Sequence, residues 1–311
     1  MPRYKRPAGE GRLIQLVYHA YVAGSALARA IPERAAYGLA QHAGGLWAKA
    51  SKKKRDVVRR NLMRVTGLPP GPELDRMVVE AFRSYARYWL ETFRLVREGP
   101  EFFLERFICE REDRLDGVVA RGKGAIVVVG HLGNWDAAGA WVGARGQSLV
   151  TVVEVLKPRR MFEFFAAHRA RLGMKIYPAE KGVTDKLAAE LEKGAVVAIL
   201  GDRDLKGTGI EVALFGEKTT IPAGAASLAL RTGVPLLAAG VYAETFEDGR
   251  RGWSCWMEGP IELPEKRGPE SVTVLTEELA TYLERAIARR PEEWHVLQPF
   301  WSADRGPVRT S

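Results

Sequence analysis

The sequence predicts one α/β domain with a mainly parallel central sheet flanked by helices, together with a helical N-terminal extension. Short apolar runs alternate with helical stretches from about residue 120 onward, and strands that alternate with helices need the crossover connections of a parallel sheet. The first hundred residues carry helical spacing throughout. With 311 residues, 46% of them hydrophobic, the chain is long and apolar enough to bury a sizeable core.

The elements follow in order along the chain. Apolar periodicity predicts N-terminal helices over residues 11–30, 33–49, 52–65 and 73–97. Apolar runs then predict strands at residues 125–129, 149–155, 175–177, 195–200, 235–242 and 253–258, separated by helices at 159–172, 183–192, 223–232 and 271–290. No internal repeat or long linker divides the chain, so we expect an extension over residues 1–100 and a core over 101–311 within one continuous domain.

The positive charge is concentrated at the N-terminus. Residues 1–64 hold 14 of the 47 lysines and arginines but three of the 38 acids, so this segment carries +11 and the remaining chain −2. Such a segment favours an anionic surface, either a nucleic acid or an acidic membrane leaflet. No nucleic-acid recognition motif accompanies it, which favours the membrane.

Residues 13–28 contain no charged side chain and are rich in Leu, Val, Tyr and Ala. Because the run is shorter than the roughly 20 apolar residues that cross a bilayer, we interpret it as an amphipathic interfacial helix with Tyr18 and Tyr21 as headgroup anchors. An ordinary surface helix packed on the domain is the equal alternative. The basic run over residues 52–55, with further arginines up to Arg64, favours the membrane, although a solvated helix face is its commoner explanation.

Cysteine usage and missing motifs exclude several function classes. Cys109 and Cys255 lie far apart in no metal-like spacing, which argues for a reducing compartment and against a disulfide framework or a zinc site. The chain lacks a Gly-x-Ser-x-Gly elbow, a phosphate loop and a dinucleotide fingerprint. If the chemistry uses a general base, the lack of a nucleophile motif indicates direct attack by a substrate hydroxyl.

The strongest chemical signal follows the predicted strand 125–129. His131 lies at its carboxyl end, where open α/β sheets bind ligands. Asn134 is placed to cap the next helix, with Asp136 in its first turn. A carboxylate at this spacing can orient the imidazole, and a histidine so held is a general base near neutral pH. A structural histidine at a strand end is the alternative, because the spacing by itself is common.

A second group of charges follows the predicted strand 195–200. Asp202, Arg203 and Asp204 come directly after it, and such a group at a strand's carboxyl end is hard to explain by packing. Asp202 could reach His131 and fix its tautomer, as the acid of a catalytic triad does. A salt-bridged loop is the alternative.

The His-x4-Asp pattern of His131 and Asp136 resembles the lysophospholipid acyltransferase-like superfamily. Within it, the chain is similar to the branch that holds the lipid A late acyltransferases and the mycobacterial phosphatidylinositol mannoside acyltransferase. The similarity to the mannoside enzyme covers most of the chain and is far more specific than His-x4-Asp alone. It includes residues 84–89, 156–158, 203–205, 215–217, 222–224, 294–295 and 297–299.

The resemblance implies acyl transfer from an acyl thioester to a sugar hydroxyl of a membrane glycolipid, without a permanently bound cofactor. His131 would then take the hydroxyl proton, and Asp136 would orient the site. The mannoside enzyme has a Glu at the position of Asp202, so this chain is one methylene shorter there. Arg203 follows in both and would hold a phosphate or the developing oxyanion.

Four residues are predicted to bind substrate, namely Asn134, Lys157, Arg169 and Arg203. Lys157 and Arg169 match the family and could meet the phosphates of coenzyme A or of a lipid headgroup. For Arg159, Arg160 and Arg171 nearby, a solvated helix face is the preferred interpretation. No metal ligands are expected.

The function we predict is that of a peripheral O-acyltransferase at the cytoplasmic face of the cell membrane. Its partners would be an anionic membrane surface, a glycolipid acceptor and an acyl-CoA donor, with no nucleic acid. A lipid A-type acyltransferase that uses acyl carrier protein is the close alternative, and a non-catalytic membrane adaptor is the third. The acceptor lipid, the acyl chain length and the oligomeric state are left open by the sequence.

Overall fold

The computed structural model describes residues 12–155, 158–204, 207–265 and 267–305. The helices of this part of the chain are α1 (Arg12–Ala30), α2 (Glu33–Ala50), α3 (Lys52–Thr66), α4 (Pro72–Leu95), α5 (Pro100–Arg106), α6 (Asp113–Val119), α7 (Trp135–Ala144), α8 (Arg159–Arg171), α9 (Val183–Glu192), α10 (Gly224–Thr232) and α11 (Pro269–Arg289). The strands are β1 (Phe107–Glu110), β2 (Ala125–Val129), β3 (Leu149–Val153), β4 (Met174–Pro178), β5 (Val196–Leu200), β6 (Ile210–Leu214), β7 (Glu217–Ile221), β8 (Leu236–Thr245) and β9 (Arg251–Ile261).

Seven strands form one sheet in the order β1-β9-β8-β2-β5-β3-β4, and β6 and β7 form a separate hairpin. The five strands from β8 to β4 are parallel to one another, while β9 is antiparallel to β8 and carries β1 parallel to itself. The mainly parallel sheet predicted from the sequence is therefore confirmed. The chain returns from β4 to place β5 beside β2, with Val129 opposite Leu200, so the carboxyl ends of these two strands are neighbours.

Helices cover both faces of the sheet. Ile126 and Val128 of β2 pack into the cluster formed with α9, α10 and α11, whereas Ala125, Val127 and Val129 pack into the cluster formed with α5, α6 and α7. Because both faces of β2 are buried, the strand appears in the sequence as an unbroken apolar run rather than an alternating one. The core is thus a three-layer arrangement with β2 at its centre.

The predicted N-terminal helices are present and pack on this core. α2 crosses α4 closely, since a Cβ on Gly44 would lie 2.6 Å from the Cα of Arg83. Asn61 of α3 donates hydrogen bonds to the carbonyls of Val296 and Gln298 beyond α11. Among the described residues, no helix has the length and apolarity that crossing a bilayer requires. The division at residue 100 stays a prediction.

The two tyrosines expected as headgroup anchors are half-buried and pack on neighbouring helices. Tyr21 packs edge-to-face on Trp89, Phe93 and Phe165, and Tyr18 packs on a neighbouring phenylalanine of α8. α1 thus uses its aromatic side chains to bind α4 and α8, and an anchoring role for the two tyrosines stays a prediction.

The arginines of the basic segment are held in ion pairs within the protein. Arg59 contacts Asp75 of α4, and Arg64 contacts both Glu217 of β7 and Asp304 near the C-terminus. These two arginines therefore tie α3 to its neighbours, while membrane contact by the basic run stays a prediction.

Candidate active site

The side chains of His131 and Asp202 meet where β2 and β5 end. Nδ1 of His131 lies 2.6 Å from Oδ1 of Asp202, and the backbone N–H of His131 donates to Oδ2 of the same carboxylate at 3.0 Å. The imidazole is 21% exposed, whereas the carboxylate is 1% exposed. The imidazole of His131 therefore reaches the surface, whereas the carboxylate that holds it is buried.

Two glycines allow the strand ends to approach this closely. A Cβ on Gly201 would lie 2.3 Å from Cγ1 of Val128, and a Cβ on Gly133 would lie 2.4 Å from the carbonyl oxygen of Val241. Gly133 also has a φ of +51°, in the left-handed region that favours glycine. A side chain at Gly201 would push against β2 and one at Gly133 would push against β8, so either would displace the turns that carry Asp202 and His131.

The segment after α11 passes along the turn that carries His131. The N–H of Gly133 donates to the carbonyl of Glu293 at 3.0 Å, and the N–H of His295 donates to the carbonyl of His131 at 2.8 Å. The indole N–H of Trp294 donates to Oδ2 of Asp202 at 2.9 Å. No pattern in the sequence predicted this contact of Trp294, although the residue lies in one of the motifs that carry the resemblance.

The environment of Asp202 stabilises its charged form. Burial raises the pKa of this carboxyl, but the charge of His131 and the hydrogen bonds from His131 and Trp294 outweigh burial and lower the pKa to about 2. Asp202 is therefore an anion across the neutral range. A carboxylate that accepts from Nδ1 fixes the tautomer of a neutral imidazole, which leaves its Nε2 free to accept a proton.

Asp136 does not make the imidazole contact that its spacing suggested. Its Oδ1 accepts from Nε of Arg169 at 2.7 Å, and its Oδ2 is within hydrogen-bonding distance of the hydroxyls of Thr92 and Tyr88. Burial lowers the pKa of Arg169, but the Asp136 carboxylate outweighs this and raises it. The Asp of the motif thus holds α7 to α4 and α8.

Arg169 and Asn134, both predicted to bind substrate, have their polar groups engaged inside the protein. Arg169 is buried between Asp136 and the ring of Trp135, with its guanidinium 4.3 Å from the ring centroid. Asn134 caps α7 by accepting from the N–H of Ala137, as the sequence predicted, and donates to Glu91 of α4. Since both side chains are buried, neither fits direct contact with a substrate, and both support the turn that holds His131.

Of the other two predicted binding residues, Arg203 lies within the described part of the chain and Lys157 does not. Arg203 is half-buried and donates from Nη2 to Oε1 of Gln298 at 2.7 Å, while its buried Nε has no hydrogen-bond partner among the described residues. Lys157 lies outside the described residues. Arg203 therefore retains donor capacity directly after Asp202, whereas the assignment of Lys157 stays a prediction.

His295 is a second histidine close to the site, but its side chain is buried, whereas that of His131 is partly exposed. Its ring is buried against Tyr85 and Tyr88, and Nε2 lies 2.9 Å from the hydroxyl of Ser84. Burial, aided by the nearby charges of Arg87 and His131, lowers its pKa well below the usual value. His295 is therefore a neutral structural histidine that joins α4 to the C-terminal segment.

An apolar cavity of about 60 Å³ lies between α7 and the face of the sheet that α7 covers. Val129 and Leu200, which precede the glycines before His131 and Asp202, line it together with Trp135 at the start of α7. Leu149 and Met174 line it near the amino ends of β3 and β4. The cavity follows the strands away from the candidate site. In the part of the chain that the structure describes, no group of three or more His, Cys, Asp or Glu side chains could hold a metal ion.

Comparison with known proteins adds the family. Residues 10–303 match the family model described as bacterial lipid A biosynthesis acyltransferase. The chain is 34% identical over 295 residues to the phosphatidylinositol mannoside acyltransferase of Mycobacterium tuberculosis, covering 93% of this chain and 90% of that protein. It is 35% identical over 299 residues to the enzyme of the same name from Mycolicibacterium smegmatis, covering 93% and 92%.

The family match spans nearly the whole chain, including the turn with His131, the end of β5 with Asp202 and the segment with Trp294. The similarity to the two mycobacterial enzymes extends over the same length, which agrees with the resemblance drawn from the motifs. The chain belongs to the bacterial lipid A biosynthesis acyltransferase family and is an acyltransferase.

Proposed function

We propose that the protein moves a fatty acyl group from acyl-CoA to a sugar hydroxyl of a membrane glycolipid of the phosphatidylinositol mannoside type, with His131 as general base. The observation that carries this proposal is the 2.6 Å contact between Nδ1 of His131 and Oδ1 of Asp202 at the carboxyl edge of the sheet. It supplies an oriented base where α/β folds bind their ligands.

In the proposed reaction, Nε2 of His131 takes the proton of the acceptor hydroxyl as its oxygen attacks the thioester carbonyl. The tetrahedral intermediate then expels the thiolate, which receives that proton from the imidazolium. The products are the acylated sugar and free coenzyme A. Asp202 stabilises the imidazolium throughout and does not itself become protonated, in line with its lowered pKa.

Arg203 is the group we assign to the negative charge that develops in this reaction or to a phosphate of the donor. Its guanidinium is held by Gln298, follows Asp202 directly and keeps a buried Nε without a partner among the described residues. A fixed cation near a developing oxyanion stabilises the transition state more than the ground state.

The apolar cavity beside α7 is assigned to the first part of the acyl chain, because about 60 Å³ is too small for a whole palmitoyl chain and the side chains around it would have to shift to admit the rest. Its lining is almost wholly aliphatic and aromatic, and it begins at Val129 and Leu200, next to the proposed base. A thioester carbonyl placed at His131 would direct its alkyl tail along the strands, away from water. Burial of the chain is favourable by roughly 0.8 kcal/mol for each methylene.

The acceptor class rests on the relatives. Enzymes named phosphatidylinositol mannoside acyltransferase share 34–35% identity with this chain along almost its full length. We therefore favour a mannose-bearing glycolipid over a lipid A precursor, the acceptor class suggested by the name of the family model. An acyl carrier protein is the alternative donor, and the donor assay must distinguish it from acyl-CoA.

We place the protein peripherally on the cytoplasmic face of the membrane, where acyl-CoA is made. The outer face of α1 supports this, because Leu16 and Leu27 are 65% and 61% exposed and the surface between them carries small apolar residues. Leu39 and Leu46 of α2 are also exposed, and the lysines at 52–54 at the start of α3 add positive charge. Apolar faces with adjacent lysines are typical of helices that lie in an anionic interface.

The experiment that tests this function is a matrix of donors and acceptors with the purified protein. Palmitoyl-CoA and palmitoyl acyl carrier protein are each offered with phosphatidylinositol mannosides, a lipid A precursor and a lysophospholipid. Thiol release is followed together with mass spectrometry of the lipid. We expect transfer from palmitoyl-CoA to a phosphatidylinositol mannoside, whereas transfer confined to the lipid A precursor or to the carrier-protein donor would contradict the proposal.

A further inference from the structure

Among the described residues, three donors hold Asp202, and they divide between its two oxygens. Oδ1 faces Nδ1 of His131 at 2.6 Å. Oδ2 accepts from the backbone N–H of His131 at 3.0 Å and from the indole N–H of Trp294 at 2.9 Å. Trp294 is thus the one of these donors that does not come from the histidine itself.

The indole has little freedom to move. Its ring is 4% exposed and packs edge-to-face on Phe300 and Trp301 at 4.8 and 6.0 Å. An isolated antiparallel bridge joins its backbone to Leu132, the residue after His131. The donor that reaches Asp202 is therefore anchored to the same turn that carries the base.

The orientation of the Asp202 carboxylate depends on its hydrogen-bond donors as well as on the position of its backbone. The terminal torsion of an aspartate is broad, so the strand end alone does not fix the plane of the carboxylate. A carboxylate plane rotated away from Nδ1 would turn the imidazole with it and misdirect Nε2. A displacement of about 1 Å at a reacting group can lower a rate by about a hundredfold.

We propose that Trp294 is a positioning residue for the acyl transfer. Its indole N–H holds Oδ2 of Asp202 so that Oδ1 receives Nδ1–H of His131 and Nε2 points to the acceptor hydroxyl. The inference rests on the proposed function, because it takes His131 to be the base.

The chain offers a matched control in Trp301. This second tryptophan lies in the same C-terminal segment, is fully buried, and also donates its indole N–H, but to the carbonyl of Leu214 at 3.0 Å. Replacing either ring by phenylalanine removes one buried indole hydrogen bond and a similar volume. The two variants differ in whether the lost bond ended on Asp202.

The test compares steady-state acyl transfer by wild type, Trp294→Phe and Trp301→Phe. We expect Trp294→Phe to lower kcat by roughly ten- to a hundredfold, which is the effect of removing the hydrogen-bond partner of a metal-ligating side chain, with KM for both substrates unchanged. Trp301→Phe should lower kcat much less, because it loosens the packing on Trp294 but leaves the indole N–H of Trp294 on Asp202. Equal losses of kcat in the two variants would show that Trp294 acts through packing and not through its hydrogen bond to Asp202, and would overturn the proposal.

A second substitution removes the N–H without altering the shape of the ring. Benzothienylalanine at position 294 replaces the indole nitrogen by sulfur, and it decides the matter if Trp294→Phe does not fold. A kcat lowered to the same extent as expected for the phenylalanine variant supports the proposal, and a wild-type kcat overturns it.

His131→Ala is assayed in parallel, so that the two failures can be told apart. Activity that survives in His131→Ala would remove the proposed base and with it this inference. Activity lost in His131→Ala but retained in full by the isosteric variant would leave the proposed function intact and overturn the role of Trp294.

Discussion

Nε of Arg169 donates to Oδ1 of Asp136 at 2.7 Å, and both side chains are almost wholly enclosed. This buried ion pair joins the start of α7 to the end of α8. It gives the Asp of the His-x4-Asp pattern a supporting role in place of a contact with His131. The pattern therefore combines a residue proposed for the chemistry with one that holds the helix after the turn.

Arg169→Met should destabilise the protein by about 3–5 kcal/mol, because it leaves the Asp136 carboxylate buried without its cation. The free energy of unfolding is measured in urea. Lys218→Met is the control, since it breaks the exposed pair with Glu211 and should change stability by less than about 1 kcal/mol. Arg169→Met and Lys218→Met with equal effects would show that the buried pair contributes no more than a surface one.

Asp202 should make stability depend on pH on the acid side. Its folded pKa of about 2 lies below the ordinary 3.8, so its contribution is complete above about pH 5 and is lost as the pH falls toward 2. The shift corresponds to roughly 2 kcal/mol.

Urea unfolding of wild type and Asp202→Asn at pH 6 and pH 3 measures this contribution. We expect the advantage of wild type over the variant to shrink at the lower pH. An advantage that is the same at both pH values would contradict the lowered pKa.

Gly139→Ala should change the preference for acyl chain length. A Cβ at this position of α7 would lie 2.6 Å from Cε of Met174 and 2.8 Å from Cδ2 of Leu149, so both side chains must shift within the cavity they line. We expect kcat/KM to fall for palmitoyl-CoA and to fall less for octanoyl-CoA.

Gly143→Ala is the matched control for the cavity, because Gly143 lies on the same helix as Gly139. Its Cβ would meet the carbonyl oxygen of Leu172 at an ordinary 3.6 Å. Its chain-length preference should equal that of wild type. If Gly139→Ala lowered kcat/KM equally for both donors, the cavity would not be the site of the acyl chain.

Leu16→Glu and Leu27→Glu should each weaken binding to anionic vesicles. Burial of a leucine contributes about 1.5–3 kcal/mol, so each substitution should lower the partition coefficient by at least about tenfold. Val274→Glu is the control, since Val274 is 53% exposed on α11, away from the α1 face. Cosedimentation with phosphatidylglycerol vesicles measures the effect, and equal losses in all three variants would contradict a membrane face on α1.

The features of the fold that the sequence predicts are those with strong local patterns. The fully buried β2 shows an unbroken apolar run, and the N-terminal helices show clear periodicity. Five elements were missed, namely α5, α6, β1, β6 and β7. β1 has four residues and the helices α5 and α6 have seven each, while the hairpin of β6 and β7 alternates exposed with buried positions and carries several charges. Such short or half-exposed segments lack the length that makes periodicity visible.

The candidate site divides in the same way. His131, Asp202 and the cap Asn134 could be identified because each lies at the boundary of a predicted element. The pairing of Asp136 with Arg169 and that of Asp202 with Trp294 could not be predicted. Arg169 and Trp294 follow the two acids by 33 and 92 residues and are brought near by helix packing and by the C-terminal segment. Contacts at such separations leave no local signal in a single sequence.

The most direct test of the account is the turnover of His131→Ala with palmitoyl-CoA and a phosphatidylinositol mannoside acceptor, with the fold checked by circular dichroism. If His131 is the base that Asp202 orients, kcat should fall by about 10²–10⁴-fold while the variant remains folded and still binds the donor. A folded variant that transfers the acyl group at the wild-type rate would contradict the central claim.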